Sequence, residues 1–208
     1  MEARMPANPT TLAAKREAAC KALLRKAHAI IDPAGATPAA LEQVKALLIG
    51  LASKTDLFPR EDFAAPVAQA RNHMLAEDGE DGFGLYLTIN MPGKVAAPHD
   101  HGIWCVNAGI SGVELHRFFQ RTDDGKTPGY ATVEELTGAT VALGTGIAMA
   151  DHDIHDTVVI GNQPAIGLAL YGYALTRFPS VVWFHPEFES VRALPSRRAA
   201  AASATVNA

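Results

Sequence analysis

Cysteine is scarce in this sequence of 208 residues, in which Cys20 and Cys105 are the two thiols. Two cysteines far apart in the chain are too few for the disulfide framework of a small secreted domain. Such scarcity is typical of proteins that fold in a reducing compartment. We therefore expect a cytoplasmic protein whose core depends on apolar packing.

Long apolar runs and a large excess of one charge are also absent. No segment approaches the ~20 apolar residues of a membrane-spanning helix, and no signal-peptide core follows the charged, proline-containing start Met1–Pro9. The net charge is -4 and the isoelectric point is about 6.0, which does not favour binding to nucleic acid or to a membrane surface. We expect neither of these partners.

The N-terminal part, residues 1–80, has apolar residues at the three- and four-residue spacing of amphipathic helices. Capping residues and prolines mark where the helices begin and end. The predicted elements are a helix from Thr10 or Thr11 to about Ile31, ended by Asp32-Pro33, a second helix opened by Thr37-Pro38, and a helical turn from Arg60 to Ala64.

The pattern changes near Gly82 to short β-rich runs separated by glycine, proline and aspartate. Many short strands without intervening helices predict an antiparallel sandwich or barrel over residues 81–190. The Arg-, Ala- and Ser-rich tail over residues 191–208 is expected to be poorly ordered. The predicted strands are Gly84–Asn90, Gly102–Ala108, Val113–Gln120, Ala131–Leu136, Gly146–Ala150, Asp156–Ile160, Ile166–Leu175 and Val181–Phe184.

A His-x-His pair, His99 and His101, is the most informative feature of the sequence. Residues two apart in a strand point to the same face, so the two imidazoles are expected to face one point and to form half of a metal site. A third ligand must come from another strand. His155, before a β-branched run, is the candidate, and His152 is its rival.

Other residues have more than one interpretation. Cys105 has the parity of the histidine pair and would face the same interior if the strand ran on unbroken, although a buried cysteine is also a small hydrophobe. Asp100 points away from its neighbours and suits a capping or supporting role, and His152 suits a supporting role if it is not a ligand. The remaining histidines are more typical of solvated surface residues; examples are His28, His73, His116 and His185.

The spacing of the glycines and histidines in this chain resembles the two sequence motifs of the cupin superfamily. Gly93, His99, His101 and Gly112 match its first motif, with Cys105 in place of the usual Glu, and Gly144 and His155 match the second motif in part. The resemblance implies a mainly β fold, the cupin double-stranded β-helix or jelly-roll barrel, with the N-terminal α-helices packed outside.

Within the cupins the chain is similar to the thiol dioxygenases, the cysteine dioxygenase and 3-mercaptopropionate dioxygenase family. The similarity covers roughly Arg71 to Leu175 and rests on His-Asp-His followed by Gly-Ile-Trp, on Cys105, on Ala70-Arg71-Asn72 and on Leu168-Ala169-Leu170-Tyr171-Gly172. The family's Ser-x-His-x-Tyr triad is reduced here to Tyr171, because Gly167 and Ala169 occupy the other two places.

The resemblance implies an iron(II) enzyme that adds both atoms of O2 to the sulfur of a small thiol. It implies iron ligands His99, His101 and His155, a carboxylate-binding Arg71, and Tyr171 near bound oxygen or substrate. It also implies a Cys105–Tyr171 thioether, as in the cysteine dioxygenase branch. We expect a monomer or weak homo-oligomer. A different metal-dependent cupin enzyme, such as a non-thiol oxygenase or isomerase, and a non-catalytic ligand-binding cupin remain alternatives.

Overall fold

A computed structural model describes residues 11–63, 71–79, 82–93, 95–175 and 180–195. The two helices are α1 (Leu12–Ala34) and α2 (Pro38–Ala52), and 3-10 turns cover Thr55–Leu57, Arg60–Phe63 and Pro186–Phe188. The predicted turn at Arg60 is confirmed as far as Phe63, and Ala64 lies outside the described residues.

The predicted helix caps are confirmed, but the predicted end of the first helix is wrong. The hydroxyls of Thr11 and Thr37 accept hydrogen bonds from backbone N–H groups of the first turns of α1 and α2. Pro33 lies inside α1. The helix runs to Ala34 and is capped by Gly35, whose positive φ of 65° suits glycine and whose N–H donates to the carbonyl of Ile31.

Eleven strands are present in the described part of the chain. They are β1 (Arg71–Glu77), β2 (Gly84–Asn90), β3 (His99–Asp100), β4 (Cys105–Ser111), β5 (Glu114–Arg121), β6 (Val133–Val141), β7 (Gly146–Met149), β8 (Ile154–Val159), β9 (Ala165–Tyr171), β10 (Ser180–His185) and β11 (Ser190–Pro195).

The strands form two sheets with a jelly-roll topology. The five-stranded sheet has the order β1-β2-β9-β4-β7, and the six-stranded sheet has the order β11-β10-β3-β8-β5-β6. The antiparallel pairs β2–β9, β3–β8, β4–β7 and β5–β6 lie alternately in one sheet and the other. This is the double-stranded β-helix arrangement. The mainly β fold predicted from the sequence is confirmed.

The helices pack on the outside of the five-stranded sheet, where α2 contacts β4 and β7. Strand β2 shows how the two sides of this sheet differ. Leu87 and Ile89 belong to the apolar core that also contains the buried helix residues, whereas Thr88 and Asn90 line a cavity inside the barrel. The alternation of a strand thus separates structural residues from residues available to a ligand.

Several expectations about element boundaries are wrong. The strand predicted over Ala131–Leu136 instead covers Val133–Val141, and the strand predicted over Ile166–Leu175 ends at Tyr171. The strand predicted from Gly102 begins only at Cys105, because Gly102 adopts a positive φ of 65° and breaks the chain's extended path after His101. The tail expected to be poorly ordered from residue 191 starts instead with β11, which pairs with β10 from Ser190 to Pro195.

No helix in the described ranges is long and apolar enough to cross a membrane.

Candidate metal centre

Three histidines from two neighbouring strands converge inside the barrel. His99 lies in β3 directly opposite His155 in β8, and His101 follows β3. One ring nitrogen from each residue can be chosen such that the three atoms lie within 4.8 Å of one another. The predicted pairing of His99 and His101 with His155 is therefore found in the structure, and the group could hold a metal ion.

In His99 and His155, one ring nitrogen remains available to bind a metal. His99 Nδ1 lies 2.9 Å from the carbonyl oxygen of Ala97, so this nitrogen carries the hydrogen and Nε2 keeps its lone pair. His155 Nε2 is buried and has no hydrogen-bond partner among the described residues. A buried polar atom without a partner is uncommon in proteins, and a bound cation would supply the missing interaction.

Burial also keeps these rings in the form that binds a metal. It lowers the pKa of His101 to about 3, with the neighbouring His99 and His116 adding to the effect. Burial likewise lowers the pKa of His99, and it lowers that of His155 well below its usual value. The three imidazoles are therefore neutral at neutral pH, as metal coordination requires.

A fourth buried histidine supports the group from behind, and the interpretation of His116 as a surface residue is wrong. His116 is 2% exposed, and its Nδ1 lies 3.3 Å from Nδ1 of His155. Its Nε2 lies 3.2 Å from a carboxylate oxygen of Glu114, whose other oxygen accepts a 2.6 Å hydrogen bond from Asn90. In the sequence, the only sign of this buried role of His116 was its two-residue spacing from Glu114, which places both on the same face of a predicted strand.

The rival ligand His152 lies outside the group. It occupies the turn before β8 with a positive φ of 69°, its side chain is 74% exposed, and its Nδ1 lies 2.9 Å from Asp100 Oδ2. The other oxygen of Asp100 accepts a 2.6 Å hydrogen bond from the N–H of Gly102. Asp100 and His152 thus have the capping and supporting contacts expected of them.

The histidines face a cavity of about 470 Å³ between the two sheets. Trp183 in β10 forms one wall, stacking on His99 with ring centroids 4.5 Å apart. The remaining wall is mixed: most of its polar residues are asparagine, serine and threonine, and its apolar residues include Ile166 and Leu168 of β9. Its polar residues include Asn72, Thr88, Asn90, Asn107, Ser111, Glu114 and Thr157.

Tyr171 and Cys105 lie together at the edge of this cavity. Tyr171 lines it, with its ring centroid 5.6 Å from that of His101. Cys105 is fully buried, and its thiol is within hydrogen-bond distance of both the Tyr171 hydroxyl and Asn107 Oδ1. Burial raises the pKa of Cys105 and that of Tyr171 well above their usual values, so both groups are protonated.

Arg71, the predicted carboxylate ligand, opens β1 opposite Ile89. Its side chain lies outside the described part of the structure. The next residue, Asn72, pairs with Thr88, and both of these side chains line the cavity. The β1 end that carries Arg71 is therefore close to the cavity wall, and its role stays a prediction.

Comparison with known proteins indicates fold only. No protein-family model and no curated protein matches the chain. Among solved structures it is similar to the DMSP lyase DddQ from Ruegeria pomeroyi DSS-3, with 15% identity, 57% of this chain covered and a TM-score of 0.42. A Klebsiella pneumoniae protein with a double-stranded β-helix domain shares 14% identity over 57% of this chain and 85% of its own, with a TM-score of 0.40.

An oxalate oxidase in complex with glycolate is a further neighbour, with 16% identity over 49% of this chain and a TM-score of 0.37. The match spans 53% of the lyase chain and 45% of the oxidase chain, about half of each. Likenesses this distant indicate the fold and identify neither the reaction nor the metal.

Proposed function

We propose that this protein is a non-haem iron(II) thiol dioxygenase of the cupin type. Its substrate would be cysteine or a related small thiol carboxylate such as 3-mercaptopropionate, and its product the corresponding sulfinate. The observation that supports this proposal is a group of three histidines with no carboxylate among them, facing a cavity of about 470 Å³.

The charge of the ligand set favours an anionic substrate. Imidazoles do not neutralise a divalent cation, so a thiolate is the form of substrate that the site would attract. Bound iron(II) would supply the reaction with dioxygen and lower the pKa of a coordinating thiol. In the overall reaction a thiolate and O2 give a sulfinate, with both oxygen atoms bonded to sulfur and no further reductant consumed.

The chain's own residues would position the substrate and exclude water. Tyr171 presents a protonated hydroxyl at the cavity edge beside His101, where it could donate a hydrogen bond to bound oxygen or substrate. Gly167 and Ala169 have no side-chain polar group with which to orient that hydroxyl, and Cys105 takes this place as its hydrogen-bond partner. The proposal therefore gives Cys105 a positioning role.

The test is oxygen uptake by purified protein loaded with iron(II) and offered L-cysteine, cysteamine and 3-mercaptopropionate in turn. Uptake matched by sulfinate formation with one of them supports the proposal. Iron-loaded protein that consumes no oxygen with any of the three would contradict it, and would leave a different metal-dependent cupin enzyme or a ligand-binding cupin. Metal analysis of protein from its native host, showing iron rather than zinc or nickel, tests the cofactor separately.

The proposed role of Arg71 has its own test. A planar guanidinium binds a carboxylate through two parallel hydrogen bonds. We expect Arg71→Ala to raise KM for 3-mercaptopropionate by about tenfold or more while leaving KM for cysteamine, which has no carboxylate, nearly unchanged. Equal increases for both thiols would remove Arg71 from the substrate site.

A further inference from the structure

Glu114 and His116 form a buried chain of hydrogen bonds behind one of the three converging histidines. The carboxylate of Glu114 lies 3.2 Å from His116 Nε2, and His116 Nδ1 lies 3.3 Å from His155 Nδ1. The His116 and His155 ring planes are parallel within 2° and their centroids are 5.5 Å apart. This arrangement suits an N–H···N bond that lies in the plane of both rings.

The donors and acceptors of this chain can be assigned from its acidic end. A carboxylate only accepts hydrogen bonds, and Glu114 already accepts one from the Asn90 amide at 2.6 Å. His116 must then carry its hydrogen on Nε2, which leaves Nδ1 as an acceptor in the neutral ring. Nδ1 of His155 therefore carries a hydrogen and donates it to His116.

With its hydrogen on Nδ1, neutral His155 has a lone pair on Nε2. That is the buried atom for which the described residues provide no hydrogen-bond partner, and because Nδ1 is directed to His116 it is the nitrogen that His155 can offer to the group with His99 and His101. We infer that Glu114, acting through His116, selects the ring tautomer of His155 and so prepares it as a metal ligand.

Burial makes this support hard to replace. Glu114, His116 and His155 are 7%, 2% and 3% exposed, and a polar group left without a partner in such a buried place is costly. His116 is not itself a member of the metal-holding group, and both it and Glu114 are positioning residues. Removal of such an outer partner typically weakens metal binding about 10–100-fold. The inference rests on the proposed metal site but not on the proposed reaction.

The first test reads the tautomer in the metal-free, full-length protein. Long-range proton–nitrogen NMR correlations of the imidazoles distinguish a protonated nitrogen from one with a lone pair. We expect His155 to be protonated at Nδ1 in the wild-type protein. A His155 ring protonated at Nε2 would overturn the inference, whatever the enzyme's activity.

The second test measures Co(II) affinity, without substrate, from the absorption bands of the bound ion. We expect Glu114→Leu, which removes the acceptor, to weaken binding about 10–100-fold. Glu114→Gln keeps an oxygen that can accept from His116 Nε2, and should restore most of the affinity. A general packing defect would lower the affinity of both variants alike, and that result, or unchanged affinity in Glu114→Leu, would overturn the inference.

Two further variants change the hydrogen bonding at His116 Nδ1. His116→Phe keeps a ring of similar size but removes the acceptor, so it should weaken Co(II) binding as Glu114→Leu does. Thr157→Val is the matched control, because the Thr157 hydroxyl also lies 3.3 Å from His116 Nδ1 and its removal leaves that acceptor free for His155. If His116→Phe does not fold, the comparison of Glu114→Leu with Glu114→Gln tests the inference by itself. Wild-type protein that binds Co(II) but, when loaded with iron(II), oxidises no thiol would contradict the proposed function and leave this inference standing.

Discussion

Cys105 lies directly opposite Tyr171 on the neighbouring antiparallel strands β4 and β9. The Tyr171 hydroxyl is hydrogen-bonded to the Cys105 sulfur. Because the thiol donates its own hydrogen to Asn107 Oδ1 at 3.3 Å, the tyrosine is the donor to the sulfur. This short chain holds the phenol at the cavity edge. It also brings together the two atoms that the expected thioether would join, although Cys105 is a free thiol here.

Tyr171→Phe should separate the role of this hydroxyl from that of the ring. We expect kcat for thiol oxidation to fall about tenfold or more because a positioned hydrogen-bond donor is lost. The free energy of unfolding should fall by only about 1 kcal/mol. Tyr86→Phe is the matched control, since the Tyr86 hydroxyl accepts a hydrogen bond from the N–H of Leu175 and lies outside the residues that line the cavity. Equal kcat values for the two variants would argue against a catalytic hydroxyl.

His155→Ala and His152→Ala should differ in metal content. His155 is buried within the converging group, whereas the His152 side chain is 74% exposed and contacts Asp100. We expect His155→Ala to lose stoichiometric metal and His152→Ala to keep it, as measured by elemental analysis after loading and desalting. The opposite pattern would move the third ligand from β8 to the preceding turn.

Gly167→Ala should destabilise the fold. A Cβ at this position would approach the carbonyl oxygen of Ala108 to 2.9 Å and Thr88 Oγ1 to 3.4 Å, and β9 is held between β2 and β4. We expect a loss of about 1–3 kcal/mol in the free energy of unfolding. Gly50→Ala in α2, where nothing lies within 4 Å, should instead stabilise by about 0.5–1 kcal/mol, and a loss there as large as at Gly167 would rule out the steric explanation.

His28 should make stability depend on pH. Its Nδ1 lies 2.9 Å from Asp32, its Nε2 lies 2.8 Å from Asp78, and its ring stacks on Phe83. Partial burial alone would lower the pKa of His28, but the hydrogen bonds and charges of the two aspartates outweigh it and raise this pKa. The stabilisation is therefore full below the unfolded pKa, near 6.5, and is lost as pH rises through the higher folded value.

The corresponding measurement compares wild type with His28→Gln, which keeps hydrogen-bonding groups without the charge. The difference in unfolding free energy should be larger at about pH 6 than at about pH 9. It should stay within about 1 kcal/mol, because solvent screens such partly exposed pairs. A difference that is constant across this range would show that the stacking on Phe83, rather than the charge, accounts for the effect.

Local sequence patterns were sufficient for most of the elements. The predicted strand Gly84–Asn90 agrees with β2, and Thr11 and Thr37 cap the two helices as expected. Capping and strand alternation depend on residues a few positions apart, so a single sequence carries them. Boundaries were wrong where a backbone conformation decided them, as at Gly102, whose positive φ no neighbouring residue dictates.

By itself, then, the sequence determined that His99 and His101 lie two residues apart in a β-rich region and can face one point, and it left His155 and His152 as candidates for the third ligand, since spacing and parity are local properties of the chain. Only the tertiary structure decided that His116 is buried against His155, that His152 turns away to Asp100, and that Cys105 meets Tyr171. These contacts depend on which strands become neighbours and in which register. That choice is made by burial of the whole apolar core, which no short segment of sequence contains.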